Sequence, residues 1–370
     1  MFPKRSKDKR ESPGKVPNNL TEVKRKPTQR LGLRECTEPD DDTKAVDVVF
    51  VHGLTGDRDK TWTHASTSCF WPEELLPIDL PNARVYTYGY DADVMHVLEQ
   101  ASQSRIANHA QTLLSTLANA RERSETADRP LFFVAHSLGG LVVEDMLLHA
   151  KNSAEDHMKS VLSATAGICF MGTPHCGSHL ADWVKVCRSV ASMAGANTDI
   201  VAVLQPQSEV LARIQQEFHT MIRARGDAGQ PQLRITCFYE DLDTRGIGAV
   251  VPKHSAILPA YTAISIHGDH TGMTKFSDAT DTGYQRVSNE LWRWVRDVNR
   301  LRAAKSVDTP SISPALAPKS SPLMIENAAP PPANYFYGTN NNIGGNLFQG
   351  NNSGTFNQGG GQSRYSYHMS

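Results

Sequence analysis

The chain has 370 residues, of which 39% are hydrophobic and 21% charged, and its formal net charge is -1. This length suits one large globular domain or two modest ones, and the composition is ordinary for a globular protein. No run approaches the roughly 18 apolar residues that span a bilayer, and no apolar leader precedes the first domain, which argues against a transmembrane or secreted protein. The six cysteines lack CxxC or zinc-like spacing, so we interpret them as reduced core thiols of an intracellular, cytoplasmic protein.

Residues 1–28 form a polar, proline-dotted arm that we expect to be disordered. Residues 1–34 contain 11 Lys/Arg against 3 Asp/Glu, so the arm is basic. A solvated, mobile arm is the simplest interpretation, and contact with an anionic membrane or with nucleic acid is the minority alternative. Of these, our prediction keeps a peripheral membrane contact and includes no nucleic-acid partner.

Residues 29–302 alternate apolar strand-like runs with helix-like stretches, which predicts an α/β domain built on a mainly parallel sheet. Most runs are apolar along their whole length, as expected for strands buried on both faces. The predicted strands are 45–51, 83–90, 130–135, 166–172, 233–239 and 262–268, and the main predicted helices are 94–122, 138–151 and 281–302. Residues 179–226 form a longer helical insertion, which we interpret as a lid or cap.

The first strand runs into "HGLTGDRDKTW", a Gly-rich loop that raises the possibility of phosphate binding. A phosphate loop of the form Gly-x-x-x-x-Gly-Lys-Ser/Thr would need glycines where Leu54 and Asp59 stand. The Asp59 carboxylate would also repel a phosphate. The nucleotide interpretation is therefore poor.

The stretch "LFFVAHSLGGLVVEDML" (131–147) is the most informative in the chain. An apolar strand ends near Ala135, Ser137 follows, and Gly139 and Gly140 open an amphipathic helix. This is the pattern of a nucleophile elbow, which exposes a serine Oγ at a sharp strand-to-helix turn. Ala135 replaces the first glycine of the usual motif.

A serine nucleophile needs a base and an acid that orients the base, and in hydrolases of this type they follow in the order Ser, acid, His. The loop after the last strand offers His270, which we favour, and His267, which still lies in the strand run. The strand before it ends at Glu240, the preferred acid, with Asp241 and Asp243 as alternatives. The sequence predicts no metal or cofactor site.

An oxyanion hole in such enzymes takes one N–H from the residue after the nucleophile and one from the loop after an early strand. These are the N–H groups of Leu138 and Leu54. His52, Gly53 and Gly139 are predicted to support the site. The Gly-rich loop is thus assigned to an oxyanion and not to a phosphate.

The composition changes after residue 302. Residues 303–333 are rich in Pro, Ser and Ala and are predicted to be a linker. Residues 334–370 are rich in Asn, Gly and Gln, with Arg364 as the only Lys, Arg, Asp or Glu. Such a segment can stack between chains through amide ladders, so we predict homo-assembly, with a passive tail as the alternative.

Together "VDVVFVHGLTGDRDKTW", "FVAHSLGGLVVEDML", "FMGTPHCGSHLADW", "ITCFYEDLD" and "HGDHTGMTKF" resemble the serine-active-site lipase/esterase family of α/β-hydrolases. They are most similar to lipase-like (SesB-type) effectors of fungal NLR immune systems. The resemblance implies an α/β-hydrolase fold, a Ser137, Glu240 and His270 triad, and control by an NLR-type receptor through an amyloid signalling motif in 334–370. It also implies a role in innate immunity and programmed cell death.

The sequence therefore predicts a serine esterase or lipase that acts on carboxylic esters, with lipids or phospholipids as the expected substrates. Peripheral contact with mitochondrial, ER or plasma membranes fits such substrates. The alternative is a weak or inactive hydrolase scaffold that serves as an interaction module.

Overall fold

The computed structural model describes residues 30–54, 56–91, 104–176, 179–193, 201–227, 229 and 231–307. The predicted arm 1–28, most of the linker 303–333 and the tail 334–370 lie outside these residues. The strands are β1 (Gly32–Thr37), β2 (Val46–Val51), β3 (Ala83–Gly89), β4 (Leu131–His136), β5 (Thr165–Met171), β6 (Arg234–Glu240) and β7 (Thr262–Ile266). The α-helices are α1 (Trp71–Glu74), α2 (Leu76–Asp79), α3 (Ser104–Arg123), α4 (Gly139–Asn152), α5 (Asp156–Ala164), α6 (Leu180–Met193), α7 (Val201–Asp227), α8 (Lys253–Ala256) and α9 (Thr282–Val307).

The strands form one seven-stranded sheet in the order β1-β3-β2-β4-β5-β6-β7. The edge strand β1 pairs antiparallel with β3, and every other pair is parallel. Parallel strands all end at the same edge of a sheet. The carboxyl ends of β2, β4, β6 and β7 therefore bring the loops that carry the predicted site residues to one edge.

Alternate residues of the central strands enter different apolar clusters, one on each face of the sheet. On one face Val49 and Phe133 pack with α3, α4 and α7. On the other, Phe50 and Phe132 pack with Trp62, Trp71 and α9. Burial on both faces explains why these strands are apolar at every position instead of alternating.

A third apolar cluster lies over the carboxyl edge of the sheet. Helix α6 contributes Trp183, Val186 and Val190, which pack with Leu138 of the elbow and with Val250. Leu211 of α7 joins the same cluster. We call α6 and α7 the cap, since their apolar side chains cover the start of α4.

This architecture is the α/β-hydrolase fold, and the predicted fold class is confirmed. The six predicted strands are present within one or two residues of their predicted ends. Strand β1 was not predicted, because "GLRECT" is polar at three of six positions and only half-buried. Helix α9 continues to Val307 instead of ending at 302, and the first part of the predicted helix 94–122 lies outside the described residues.

None of the helices within the described ranges is long and apolar enough to cross a membrane.

Candidate active site

Ser137 occupies a strained turn between β4 and α4. Its φ of 53° lies in the left-handed region, which residues other than glycine rarely adopt. The turn is held on both sides, since the Ser137 N–H donates to the Met171 carbonyl (2.9 Å) and its carbonyl accepts from the Gly140 N–H (3.0 Å). A positive φ at a serine between a strand and a helix is the geometry of a nucleophile elbow.

Close packing accounts for the two glycines after the serine. A Cβ added to Gly139 would collide with the His52 carbonyl, and one added to Gly140 would collide with the Thr173 side chain. Gly53 also needs to be small, because a Cβ there would lie 2.6 Å from Ser137 Cβ. Ala135 fits in place of the usual glycine as a fully buried residue of β4.

The structure brings Ser137, His270 and Glu240 into one chain of contacts. His270 Nε2 lies 3.0 Å from Ser137 Oγ, and His270 Nδ1 lies 2.5 Å from Glu240 Oε2. His270 is fully buried and Glu240 nearly so. With the proton on Nδ1 donated to the carboxylate, Nε2 is free to accept a proton from the serine.

Glu240 is held by the chain that follows its own strand. Its Oε1 accepts from the backbone N–H groups of Val250 (2.6 Å) and Val251 (3.1 Å), which leaves Oε2 for His270. Three donors around one carboxylate fix its orientation. The loop after β6 thus holds the Glu240 carboxylate in position through these two backbone N–H groups.

The alternative residues from the sequence analysis lie elsewhere. His267 and Asp241 are exposed and pair with each other, Nδ1 to Oδ1 at 3.2 Å. Asp243 is exposed as well. The structure therefore places His270 beside Ser137 and Glu240 beside His270, and it places none of the three alternatives in either position.

His136 is a site residue that sequence reasoning missed. It ends β4 directly before the nucleophile, and its Nε2 lies 2.8 Å from the His270 carbonyl oxygen. Because a carbonyl oxygen can only accept, Nε2 carries a proton and donates it. Burial, then the neighbouring His270, lowers the pKa of His136 well below its usual value, so the ring is neutral. The only signal in the sequence is a polar residue at the end of an apolar strand.

The N–H groups assigned to an oxyanion hole are available. Leu138 precedes the first turn of α4, where helix N–H groups have no partner within the helix. Among the described residues, neither the Leu138 N–H nor the Leu54 N–H has a hydrogen-bond acceptor. The positive end of the α4 dipole favours a negative charge at the same place.

The cap packs against the elbow next to Ser137. Ser137 is 2% exposed, and the apolar side chains of α6 lie over the neighbouring Leu138. The elbow is therefore bordered by apolar side chains on this side. Within the described ranges, no cluster of three or more His, Cys, Asp or Glu is arranged to hold a metal ion.

Comparisons with known proteins give matches over parts of this chain. Residues 43–203 match the model of a family described as "Putative serine esterase (DUF676)", a stretch that contains Leu54 and Ser137 and ends before Glu240 and His270. The chain is 30% identical to Protein SERAC1 of Bos taurus over 264 residues, 65% of this chain and 38% of that protein. It is 28% identical to Protein SERAC1 of Danio rerio over 253 residues, 62% of this chain and 36% of that protein.

The chain thus spans less than half the length of these curated relatives. Among solved structures, the chain is similar to the monoacylglycerol lipase of Paleococcus ferrophilus, with a TM-score of 0.38 and 13% identity. That comparison covers 73% of this chain and 99% of the lipase.

Proposed function

We propose that this protein is a serine hydrolase that cleaves carboxylic esters, with Ser137, His270 and Glu240 as its catalytic triad. The observation that carries the proposal is the unbroken contact chain from Ser137 Oγ through His270 to Glu240. The match to a serine-esterase family model over the elbow supports the same reaction class.

The reaction follows from these positions. Ser137 Oγ bonds to the acyl carbon while His270 Nε2 takes the hydroxyl proton, and the carbonyl electrons move to an oxyanion held by the N–H groups of Leu54 and Leu138. His270 then gives its proton to the leaving alkoxide, and an acyl-enzyme remains. Water, activated by His270 in the same way, breaks the acyl bond and regenerates Ser137. Glu240 stabilises the imidazolium in both halves of the reaction.

Lipid or phospholipid esters are the substrates that we propose. Their acyl chains suit a nucleophile that directly precedes Leu138, a residue of the apolar cluster that also contains Trp183, Val186 and Val190 of the cap. A polar substrate would lose its hydration there without gaining partners.

We also propose that the activity serves signalling, with assembly of residues 334–370 and an NLR-type receptor as its control. The support is compositional, since this segment carries few charges and many Asn and Gln amides. A peripheral membrane contact would bring the enzyme to a lipid substrate.

The nucleophile is tested by Ser137→Ala. We expect a fluorophosphonate probe to label the wild type and not the variant, because Oγ is the attacking atom. Ester turnover should fall by about 10³-fold or more while the melting temperature changes little. Equal labelling of both proteins would contradict the triad, and an unreactive, folded wild type would favour the scaffold alternative.

A further inference from the structure

The residue before Gly53, His52, is buried and has one defined tautomer. The Tyr90 backbone N–H lies 3.3 Å from His52 Nε2, and since an amide N–H can only donate, Nε2 is the unprotonated nitrogen. The proton is therefore on Nδ1, which lies 2.9 Å from the Gly53 carbonyl oxygen. Burial lowers the pKa of His52 to about 4, so the ring is neutral near pH 7.

Tyr90 contacts His52 in two further ways. The Tyr90 hydroxyl donates to the His52 carbonyl oxygen at 2.7 Å. The two rings are stacked, with centroids 4.4 Å apart and planes within 5° of parallel. Tyr90 immediately follows β3, the neighbour of β2, so these contacts extend the strand pairing beyond the ends of both strands.

The His52 peptide lies at the junction of the two halves of the site. Its carbonyl packs directly against Gly139, at the start of α4, and the next residue, Gly53, packs against Ser137. Leu54 follows Gly53. A shift of the His52 peptide therefore moves the Leu54 N–H relative to Ser137 Oγ.

We propose that Tyr90 is a positioning residue for the oxyanion hole, which fixes the His52 peptide and thereby the distance between the Leu54 N–H and the developing oxyanion. Tyr90 acts through His52 and does not contact the acyl group. This inference rests on the proposed serine-hydrolase function. Because oxyanion donors work at about 2.7–3.1 Å, a small displacement weakens them in the transition state more than in the bound substrate.

The direct test is Tyr90→Phe, which removes the hydroxyl and keeps the stacked ring. With a soluble short-chain ester, we expect kcat to fall by about 10-fold and KM to stay within about twofold, since a lost donor costs up to 10²–10³ and a displaced donor costs less. Tyr90→Leu, which also removes the ring, should lower kcat further. Tyr88→Phe is the matched control, since Tyr88 is a buried tyrosine of β3 at the same sheet edge and should keep wild-type kcat.

A transition-state analogue separates positioning from general loosening of the fold. A trifluoromethyl ketone forms a hemiketal when Ser137 Oγ bonds to its carbonyl carbon, with the charge on oxygen and the serine proton on His270. Its inhibition constant should rise by the same factor by which kcat/KM falls in Tyr90→Phe. A wild-type kcat in both Tyr90 variants overturns the inference, as does an equal loss in Tyr88→Phe or a loss confined to KM.

Failure of the proposed function gives a different result. A wild type that neither hydrolyses esters nor reacts with the fluorophosphonate removes the hydrolase assignment, and with it any oxyanion for Tyr90 to serve.

Discussion

Glu240 divides its two carboxylate oxygens between the His270 ring and the backbone. Oε2 accepts from His270, and Oε1 accepts from the N–H groups of Val250 and Val251. Every one of these partners is a donor. The site therefore needs an acceptor at both oxygens, a requirement that only a carboxylate meets.

Glu240→Gln tests this requirement. An amide nitrogen would face either His270 Nδ1–H or the two backbone N–H groups, so the imidazole would lose its orientation and its preferred tautomer. We expect kcat to fall by on the order of 10²–10⁴. Asp243→Asn and Asp241→Asn are the controls, and both should retain most activity because their carboxylates are exposed. A crippled Asp241→Asn protein beside an active Glu240→Gln protein would show that the acid is misassigned.

At the scale of elements, α4 connects the nucleophile to the cap. The helix starts at the elbow, and one turn further along it carries Glu144, which is fully buried near α7. Glu144 Oε1 lies 3.5 Å from His175 Nδ1, but that nitrogen already accepts from Gln215 Nε2 at 2.8 Å. Among the described residues, neither Glu144 oxygen has a hydrogen-bond partner.

Burial raises the pKa of Glu144 to about 8 from an ordinary value of 4.5. Between these two pH values the unfolded chain has lost the proton that the folded protein keeps. The contribution of Glu144 to the free energy of unfolding therefore falls as pH rises from about 4.5 to about 8.

Glu144→Gln should remove this part of the pH dependence, because an amide has the same shape and no proton to lose. Near pH 8 we expect the variant to be more stable than the wild type by on the order of 2–5 kcal/mol, with little difference near pH 4.5. Urea unfolding at both pH values measures the effect. Glu217→Gln, on the exposed side of α7, is the control and should parallel the wild type. Parallel curves for Glu144→Gln itself would refute the buried neutral acid.

At the scale of the whole molecule, the sheet and the helices on its two faces form one α/β domain, whereas residues 334–370 have a composition from which we predict self-assembly. Their Asn and Gln amides can form ladders along a fibril, and Ile343, Phe348 and Phe356 can form dry contacts between sheets. With a single Arg and no Asp or Glu, the segment has little charge repulsion to oppose stacking.

A peptide of residues 334–370 should therefore form β-rich fibrils at neutral pH. Fibre diffraction should give the ~4.7 Å spacing of cross-β structure. A peptide with Ile343, Phe348 and Phe356 each replaced by Asp is the control, and should stay monomeric because the charges oppose stacking. A wild-type peptide that remains monomeric for days, even with seeds, would eliminate the signalling part of the proposed function.

The sequence by itself determined the class of fold and the position of Ser137 at the turn between β4 and α4. Both follow from local patterns, since strands buried on two faces are apolar throughout and an elbow needs small residues around its serine. The order of Ser137, an acid and a histidine along the chain was equally readable. Strand β1 was not, because a half-buried edge strand carries no such pattern.

Only the tertiary structure decided which side chains meet. Glu240, Asp241 and Asp243 are nearly equivalent in sequence, and the register of β6 against β7 places the first beside His270 and leaves the other two exposed. The contacts of His52 with Tyr90, and of Glu144 with His175, join residues that are distant in the chain. Such contacts depend on strand order and helix packing, which local periodicity does not encode.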